Sequence, residues 1–496
     1  MHPDRDFDAG RALPSNEADL VQDLELNTLL AAMAAQDGLI FDVSRRALLT
    51  SLRDPDSIRY RQQVLADCLQ HPDIVRGLYQ LAGDALAGEK KVFRSLSRDS
   101  PTAILSRSVQ VLGLLAAFAQ QLRETAEKDG AGFTSPGFTR FFSTVAHELD
   151  DEYLGQVHRR LGELRFAHGP RISAQLGAGN HGTDYTLRPT PGQSWRQRLR
   201  LLDRAGYSFT IPDRDYNGFT ALGELQDRGL SRAANAVAQA ADHVLSFFTM
   251  VRIELAFYVG CLNLHGQLKR RQLPSCLPTV VPAGELALSA SALYDVGLAL
   301  TTEQSVVGND LNADTKTLVM ITGANQGGKS TLLRAVGTSQ LMTQAGMFAP
   351  AVALHTNVAT GLFTHFKREE DTAMESGKLD EELRRMSGIV EHITAGAMLL
   401  CNESFASTNE REGSQIARQI VRAMLDECVK VLFVTHQFDL AGSFYDLRPS
   451  YALFLRAARE SSGRRTYKIT AGKPLPFSHG EDAYRAVFGN DLAAAG

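Results

Sequence analysis

The segment 316–331, KTLVMITGANQGGKST, limits what this chain can fold into more than any other stretch. Thr317 to Ile321 is a short, β-rich apolar run, the pattern of a buried strand. It leads into Gly323, and Gly323 to Ser330 satisfies G-x-x-x-x-G-K-[ST] without a mismatch. Gly327 and Gly328 let the backbone pass close to phosphates, so that successive N–H groups point at them. Lys329 is placed to reach the β- and γ-phosphates, and the Ser330 hydroxyl to bind Mg²⁺. Thr331 to Gly346 is helix-like, which brings a positive helix N-terminus to the same anions. Strand before and helix after is the context this pattern requires. The predicted cofactors are therefore ATP and Mg²⁺, with Gly323, Asn325, Gly327, Gly328, Lys329, Ser330 and Thr331 as the nucleotide-binding set.

Two later apolar runs carry polar residues at their ends. Ala397 to Glu403 (AMLLCNE) has the form of a Walker B strand, in which the first polar residue holds Mg²⁺ through water and the following glutamate polarises the attacking water. Here the first is Asn402, so the metal set is Ser330 and Asn402. Asparagine keeps the geometry and loses a negative charge, which predicts weaker metal binding. Glu403 is the predicted general base. Val431 to Thr435 is another buried strand, ending at His436, a histidine suited to sensing a γ-phosphate. Between the two, SFASTNEREGSQIARQ runs from a Ser/Thr-rich loop into a helix, a second anion site built around Ser407 and Thr408. A site offered there suits an ABC-type arrangement in which two subunits sandwich two nucleotides.

The remainder of the chain has a different texture. Residues 1–20 are polar and are expected to fray. Helical periodicity starts near Leu20 and dominates for roughly 250 residues. Around 166–216, RISAQLGAGNHGTDYTLRP predicts two short strands about a Gly/Asn turn, and QSWRQRLRLLDR then places Arg196, Arg198, Arg200 and Arg204 beside Trp195, the only tryptophan. Phe141 to Phe166 and Ala221 to Arg271 are expected helices. A long helix, a small basic tip and a longer helix make a lever with a head. Two readings of the arginines, Arg188 included, stay open: a solvated face, or a clamp that contacts phosphates. Pro274, Pro278 and Pro282 mark a linker, beyond which strands and helices alternate. The expected architecture is mixed: a flexible segment 1–20, an all-α core and lever over 21–272 with a clamp-like insertion at about 166–216, and an α/β P-loop ATPase domain of ABC type over 273–496.

Bulk properties exclude little. The 496 residues allow two to four domains, and 44% hydrophobic with 22% charged residues is ordinary for a soluble protein. A net charge of −4 gives no general affinity for nucleic acid, so that argument rests on local patches. Cys68, Cys261, Cys276, Cys401 and Cys428 show no CxxC pairing, which predicts reduced, buried thiols. With no apolar leader at the N-terminus and no uninterrupted apolar run approaching ~18 residues, the expectation is a cytoplasmic protein without a membrane partner.

The order P-loop, Ser/Thr loop, Thr-His resembles the MutS family of DNA mismatch-repair ATPases. ITGANQGGKSTLLR is similar to the family P-loop, TGPNMGGKST, with Ala324 and Gln326 in place of Pro and Met. VGNDL (Val307 to Leu311) resembles the N-D-L segment that precedes it. Glu382 followed by Leu383 resembles the Glu-Met end of Ser-Thr-Phe-x-x-Glu-Met, whose Ser-Thr-Phe is not matched. Ser407, Thr408 and Gly413 resemble the signature S-T-x-D-G with two extra residues, THQFDL matches T-H-x-x-E/D-L, and YKITAGKPLPFSHG resembles the closing Tyr-Lys stretch. DPDSIRYRQQVLADCLQHPDI is similar to the P-x-x-I-x-x-R-Q stretch of the family's helical core. The resemblance covers about residues 40 to 490. It starts almost directly in the helical core with no Phe-x-Glu wedge, so direct mismatch reading is not expected, and the family's C-terminal dimerisation helices are expected to be shortened.

The resemblance implies a DNA-binding ATPase that works as a homodimeric clamp in DNA repair or recombination, sensing DNA shape or branching. The alternative is a nucleotide-gated protein-interaction module with little or no hydrolysis, in which Asn402 slows turnover and the basic tip meets a protein.

Overall fold

Helix caps written into the sequence set the first third of the chain. The computed structural model describes residues 1–92, 100–167, 169–188, 210–324, 326–368, 377–459 and 465–474. Helices α1 (Glu17–Asp23), α2 (Leu26–Ala34), α3 (Gly38–Leu49) and α4 (Pro55–Gln70) come first. Asp37 caps α3 by accepting from the Leu39 N–H, and Asp54 caps α4 by accepting from the Ser57 N–H. The cap falls at Asp54 because Pro55, with φ already helical and no N–H to satisfy, opens the helix.

These four helices belong with the P-loop. The chain forms two compact units: Met1–Pro72 with Ser135–Gly137 and Ala256–Gly496, and Asp73–Thr134 with Phe138–Leu255. In the first unit the buried Arg61 donates to Met1 O at 2.8 Å and to Ala345 O at 3.2 Å. Gln344 donates to Leu52 O and Ala359 O, both at 2.9 Å. Met1 and Phe7, in the segment expected to be flexible, are buried. Gly346 sits at φ +78°, and a Cβ there would lie 2.4 Å from Arg61 Cβ, so only glycine lets α4 approach this closely.

The second unit holds α5 (Pro72–Lys91), α6 (Pro101–Asp129), α7 (Pro136–Glu148), α8 (Asp151–Glu163), the antiparallel pair β1 (Arg171–Leu176) and β2 (Gly182–Arg188), and most of α9 (Tyr216–Arg270). The helix expected over Phe141 to Phe166 is two helices, because Asp150 accepts from the Tyr153 N–H and starts a new one. The unit packs around Phe248, Val111, Leu115 and Leu154, with a second cluster of Leu105, Val109, Leu161 and Leu230 on which Leu187 of β2 rests. The helix α9 is 55 residues, on the order of 80 Å of rise. Both α9 and Pro101–Gly132 contain 18-residue windows apolar enough to cross a membrane by composition, with mean hydropathy 1.6 and 1.5, and packing buries 50% and 39% of them. Scattered polar residues had hidden these windows from a search for uninterrupted runs.

After α9 the first unit resumes with β3 (Thr279–Val281), β4 (Leu288–Leu293), α10 (Val296–Thr301), β5 (Asn309–Asn312), β6 (Leu318–Thr322), α11 (Lys329–Gln344), β7 (Ala353–Asn357), β8 (Leu362–Phe366), α12 (Lys378–His392), β9 (Met398–Asn402), α13 (Glu410–Asp426), β10 (Lys430–Val434), α14 (Phe438–Asp446), β11 (Ala452–Arg459) and β12 (Arg465–Ala471). A four-stranded sheet has the order β3-β7-β4-β5, and a six-stranded sheet β12-β11-β6-β10-β9-β8. The proline-marked segment is therefore not a bare linker. Thr279 to Val281 pairs in parallel with β7 as an edge strand, the position where neighbouring prolines cost no ladder bonds. In the larger sheet β11, β6, β10, β9 and β8 are parallel. The near-continuous burial of β6, β9 and β10 on both faces explains why they read as apolar runs. The fold class is mixed, a helical part followed by an α/β part.

Arg61→Met keeps the bulk and removes every donor from a site where Met1 O and Ala345 O depend on it. The expected loss is about 2–3 kcal/mol of stability, read as a lower urea midpoint at unchanged slope.

Candidate nucleotide site

The C-terminal ends of the parallel strands lie on one edge of the sheet, which is where open α/β folds place their chemistry. Strand β6 delivers the P-loop, β9 delivers Asn402 and Glu403, and β10 delivers Thr435 and His436. Register fixes their depth: Val434 pairs with Ile321 on one side and with Asn402 on the other. Of the P-loop residues, Asn325 lies outside the described residues. Gly323 has φ +115° and Gly328 φ +91°, backbone that favours glycine, and a Cβ on Gly327 would sit 2.6 Å from Ala457 Cβ. Gln326 and Glu403 also hold positive φ, 59° and 54°. Non-glycine residues in that region are a form of strain that clusters at functional sites.

Lys329 is 4% exposed and donates to Gly323 O at 3.0 Å and Ala324 O at 2.8 Å. Burial pulls its pKa down to about 8, partly offset by the Glu403 carboxylate. Its Nζ is 3.3 Å from His436 Nε2, which in turn is 3.0 Å from Glu403 Oε1. The hydrogen bond from His436 is the main reason that the Glu403 pKa is held below its usual value, so the carboxylate is ionised and able to accept a proton. The Ser330 hydroxyl donates to Asn402 Oδ1 at 2.8 Å. Two neutral oxygens thus converge, a hard donor pair of the type Mg²⁺ takes, with no carboxylate between them. No group of three or more His, Cys, Asp or Glu suited to a metal occurs among the described residues. The residues fit a metal shared with phosphate oxygens.

A cavity of about 360 Å³ adjoins the loop, lined among others by Val306, Val307, Asn309, Gln326, Thr331 and Tyr467. Asn309 ties its walls together, donating to Tyr467 O at 3.2 Å and accepting from the Ile469 N–H at 2.7 Å.

The Ser/Thr loop is more committed than its composition suggested. Ser407 donates to Glu382 Oε1 at 3.0 Å, and Thr408 to the Glu412 carboxylate. Helix α13 is capped by Asn409 and carries Glu410 and Glu412 in its first turn, so carboxylates already occupy its positive end. Gly413 is required for close approach: a Cβ would lie 2.3 Å from Phe405 O. Glu382 is buried, its pKa raised by that burial, and its Oε2 has no hydrogen-bond partner. Behind it His365, held neutral by burial at a pKa of about 4, donates from Nε2 to Glu382 O, and Ser404 Oγ, which donates to His365 O, lies 2.7 Å from its Nδ1. Residue-type patterns did not reveal this buried set, whose members lie far apart in sequence.

Of the basic-tip residues, Arg196, Arg198, Arg200 and Arg204 lie outside the described residues. Arg188 is exposed, donates to Ser173 Oγ at 2.8 Å, and stands opposite Arg171 in the β1–β2 register. Arg171, also exposed, was missed because it precedes the arginine cluster. All five cysteines are free, as expected; Cys68, Cys261 and Cys401 are buried, Cys276 is partly buried, and Cys428, in a left-handed turn just past α13, is exposed.

Similarity to known proteins follows the same two-part layout. The family model described as the MutS2 N-terminal domain matches residues 53–271, and that of MutS domain V matches residues 319–473. Among curated relatives named DNA mismatch repair protein MutS, that of Chlorobaculum tepidum is 23% identical over 445 residues, covering 80% of this chain and 49% of the relative. Those of Thermus aquaticus and Roseiflexus castenholzii are each 30% identical over shorter stretches, 35% and 33% of this chain. They account for only 21% and 15% of those relatives, so this chain spans less than half the length of the proteins it matches.

Because the Lys329 amine loses its proton in the free protein with a pKa of about 8, binding of a polyphosphate must restore it at higher pH. Calorimetry in buffers of different ionisation heat is expected to show net proton uptake on ATP binding between pH 8 and 10.5, and weaker affinity across that range. Uptake independent of pH would contradict the assignment.

Proposed function

Because the chain belongs to the MutS family, we propose that it is an ATP-binding and ATP-hydrolysing protein of the DNA mismatch-repair type, acting on DNA in the cytoplasm as a homodimer. The observation that supports the reading best is the meeting of Lys329, Ser330, Asn402, Glu403 and His436 on one strand edge. In this reading the P-loop amides and Lys329 hold the β- and γ-phosphates, with Lys329 exchanging the Gly323 and Ala324 carbonyls for phosphate oxygens. The cavity beside Val307 and Tyr467 takes the nucleoside. Ser330 and Asn402 would hold Mg²⁺, which would supply charge neutralisation at the phosphates. Glu403 accepts the proton of the attacking water. His436 orients Glu403 through the 3.0 Å contact and keeps it ionised.

Ser407 and Thr408 are assigned to the nucleotide of a second copy, which must draw their hydroxyls away from Glu382 and Glu412. Arg188, Arg196, Arg198, Arg200 and Arg204 are assigned to DNA phosphates, and Arg171 joins them by its pairing with Arg188. Specificity then lies in the shape of the DNA, since no base-reading element is present in this set.

One observation favours a second reading. Asn402 gives the metal a neutral partner, so ATP binding without appreciable turnover would make the chain a nucleotide-gated interaction module.

Steady-state turnover with and without linear, mismatched and four-way-junction DNA separates the two. Glu403→Gln is expected to lower turnover at least about 100-fold while leaving ATP binding nearly unchanged. Replacing Arg196, Arg198 and Arg200 by Ala is expected to flatten the salt dependence of DNA affinity by about 2–3 units of log–log slope. Turnover that is absent, or indifferent to every DNA, selects the second reading.

A further inference from the structure

The strand edge that carries Glu403 also carries a cation with no role in the reading above. Strand β8 ends at Phe366, which pairs in register with Asn402, and the Lys367 N–H donates to Asn402 O at 2.9 Å. Lys367 is thereby anchored beside Glu403 on the neighbouring strand, where adjacent chains run about 4.8 Å apart. Its side chain is exposed, and its charge favours the ionised forms of both Glu403 and Glu382. The arginines near it are committed elsewhere: Arg368 pairs with Asp19, and Arg385 with Asp19 and Asp23. Among the described residues no carboxylate makes an ion pair with Lys367.

The charges at this edge do not match what a metal-dependent phosphate site calls for. A strand ending in two carboxylates would set two negative charges against the lysine of the P-loop. Here Asn402 is neutral, Glu403 is the one acid at the strand end, and Lys329 and Lys367 both stand next to it. Among the described residues, the two lysines therefore outnumber the acid at this strand end before any metal arrives. Carboxylates recruit a divalent cation, and a positive edge repels it while attracting the polyphosphate directly.

We propose that Lys367 is a second cation for the terminal phosphates of the nucleotide, supplying charge neutralisation that this chain has given up at Asn402. The proposal rests on the ATP-site reading given above. Its consequence is that nucleotide binding depends less on Mg²⁺ than a P-loop with an acidic strand end would allow. Lysine suits this position because its flexible stem carries a compact charge that can follow the phosphate without a fixed geometry.

The test is equilibrium binding of a fluorescent ATP analogue to the full chain, with saturating Mg²⁺ and again with EDTA. The wild-type chain is compared with Lys329→Ala, Lys367→Met, Lys367→Arg and Asn402→Asp. Lys367→Met is expected to lower affinity about tenfold in EDTA and less than about threefold with Mg²⁺, with the arginine variant close to wild type. Asn402→Asp is expected to weaken binding in EDTA and restore it with Mg²⁺. Lys367 is exposed, so an unchanged melting temperature in Lys367→Met excludes misfolding. An EDTA affinity unaltered by Lys367→Met, in a chain where Lys329→Ala abolishes binding, overturns the role of Lys367 and leaves the ATP site standing. A loss equal in the two conditions also overturns it, since that marks a structural part and not charge compensation. No binding by the wild-type chain in either condition removes both readings.

Discussion

The parallel hydrogen-bond ladder joining β6, β10, β9 and β8 is the constraint on which everything functional here depends. Parallel pairing sets the C-terminal ends of all its strands on one edge, and the register Ile321–Val434–Asn402–Phe366 sets them at one depth. A slip by one residue would turn each strand's side chains to the opposite face and separate Lys329 from Glu403 and His436. Burial keeps the register in place, since residues of these strands such as Leu318, Met320, Leu399, Cys401, Val431 and Phe433 belong to one apolar cluster. Core packing therefore fixes the geometry of the charged groups, and those groups do not have to hold each other.

That division of labour decides what the sequence could tell. The P-loop, Asn402, Glu403 and His436 were legible because each follows an apolar run, at the end of a buried parallel strand. The commitment of Ser407 and Thr408 to Glu382 and Glu412 was not legible. Hydroxyl-rich loops look like anion sites by composition, and only coordinates show that carboxylates already accept from them. Lys367 was hidden for the opposite reason: one lysine among ordinary surface charges acquires meaning only from the strand that stands beside it.

The grouping of α1–α4 with the nucleotide unit shows where periodicity stops being informative. Helical spacing finds these helices correctly, but it describes one face of each and says nothing about what that face meets. The deciding contacts join residues far apart in sequence, Arg61 with Ala345 and Gln344 with Leu52. The proline-marked segment illustrates the same limit, because prolines that read as a break are tolerated beside an edge strand whose outer side makes no ladder bonds.

Two features of the nucleotide edge point in one direction. The acid expected at the end of β9 is an amide, and the Ser/Thr loop offers its hydroxyls to carboxylates. In the proposed reading each raises the cost of reaching a hydrolytic state: the first would weaken the hold on Mg²⁺, and the second would require Ser407 to leave a buried carboxylate that already lacks a partner at Oε2. Removing the Ser407 donor from that buried carboxylate would cost on the order of 1–3 kcal/mol unless a new donor or a proton arrives. Burial already raises the Glu382 pKa, which favours proton uptake there. In the proposed reading, a loop held in this way would resist engaging a second nucleotide until binding energy from elsewhere is available, which would make nucleotide occupancy and partner engagement separable steps.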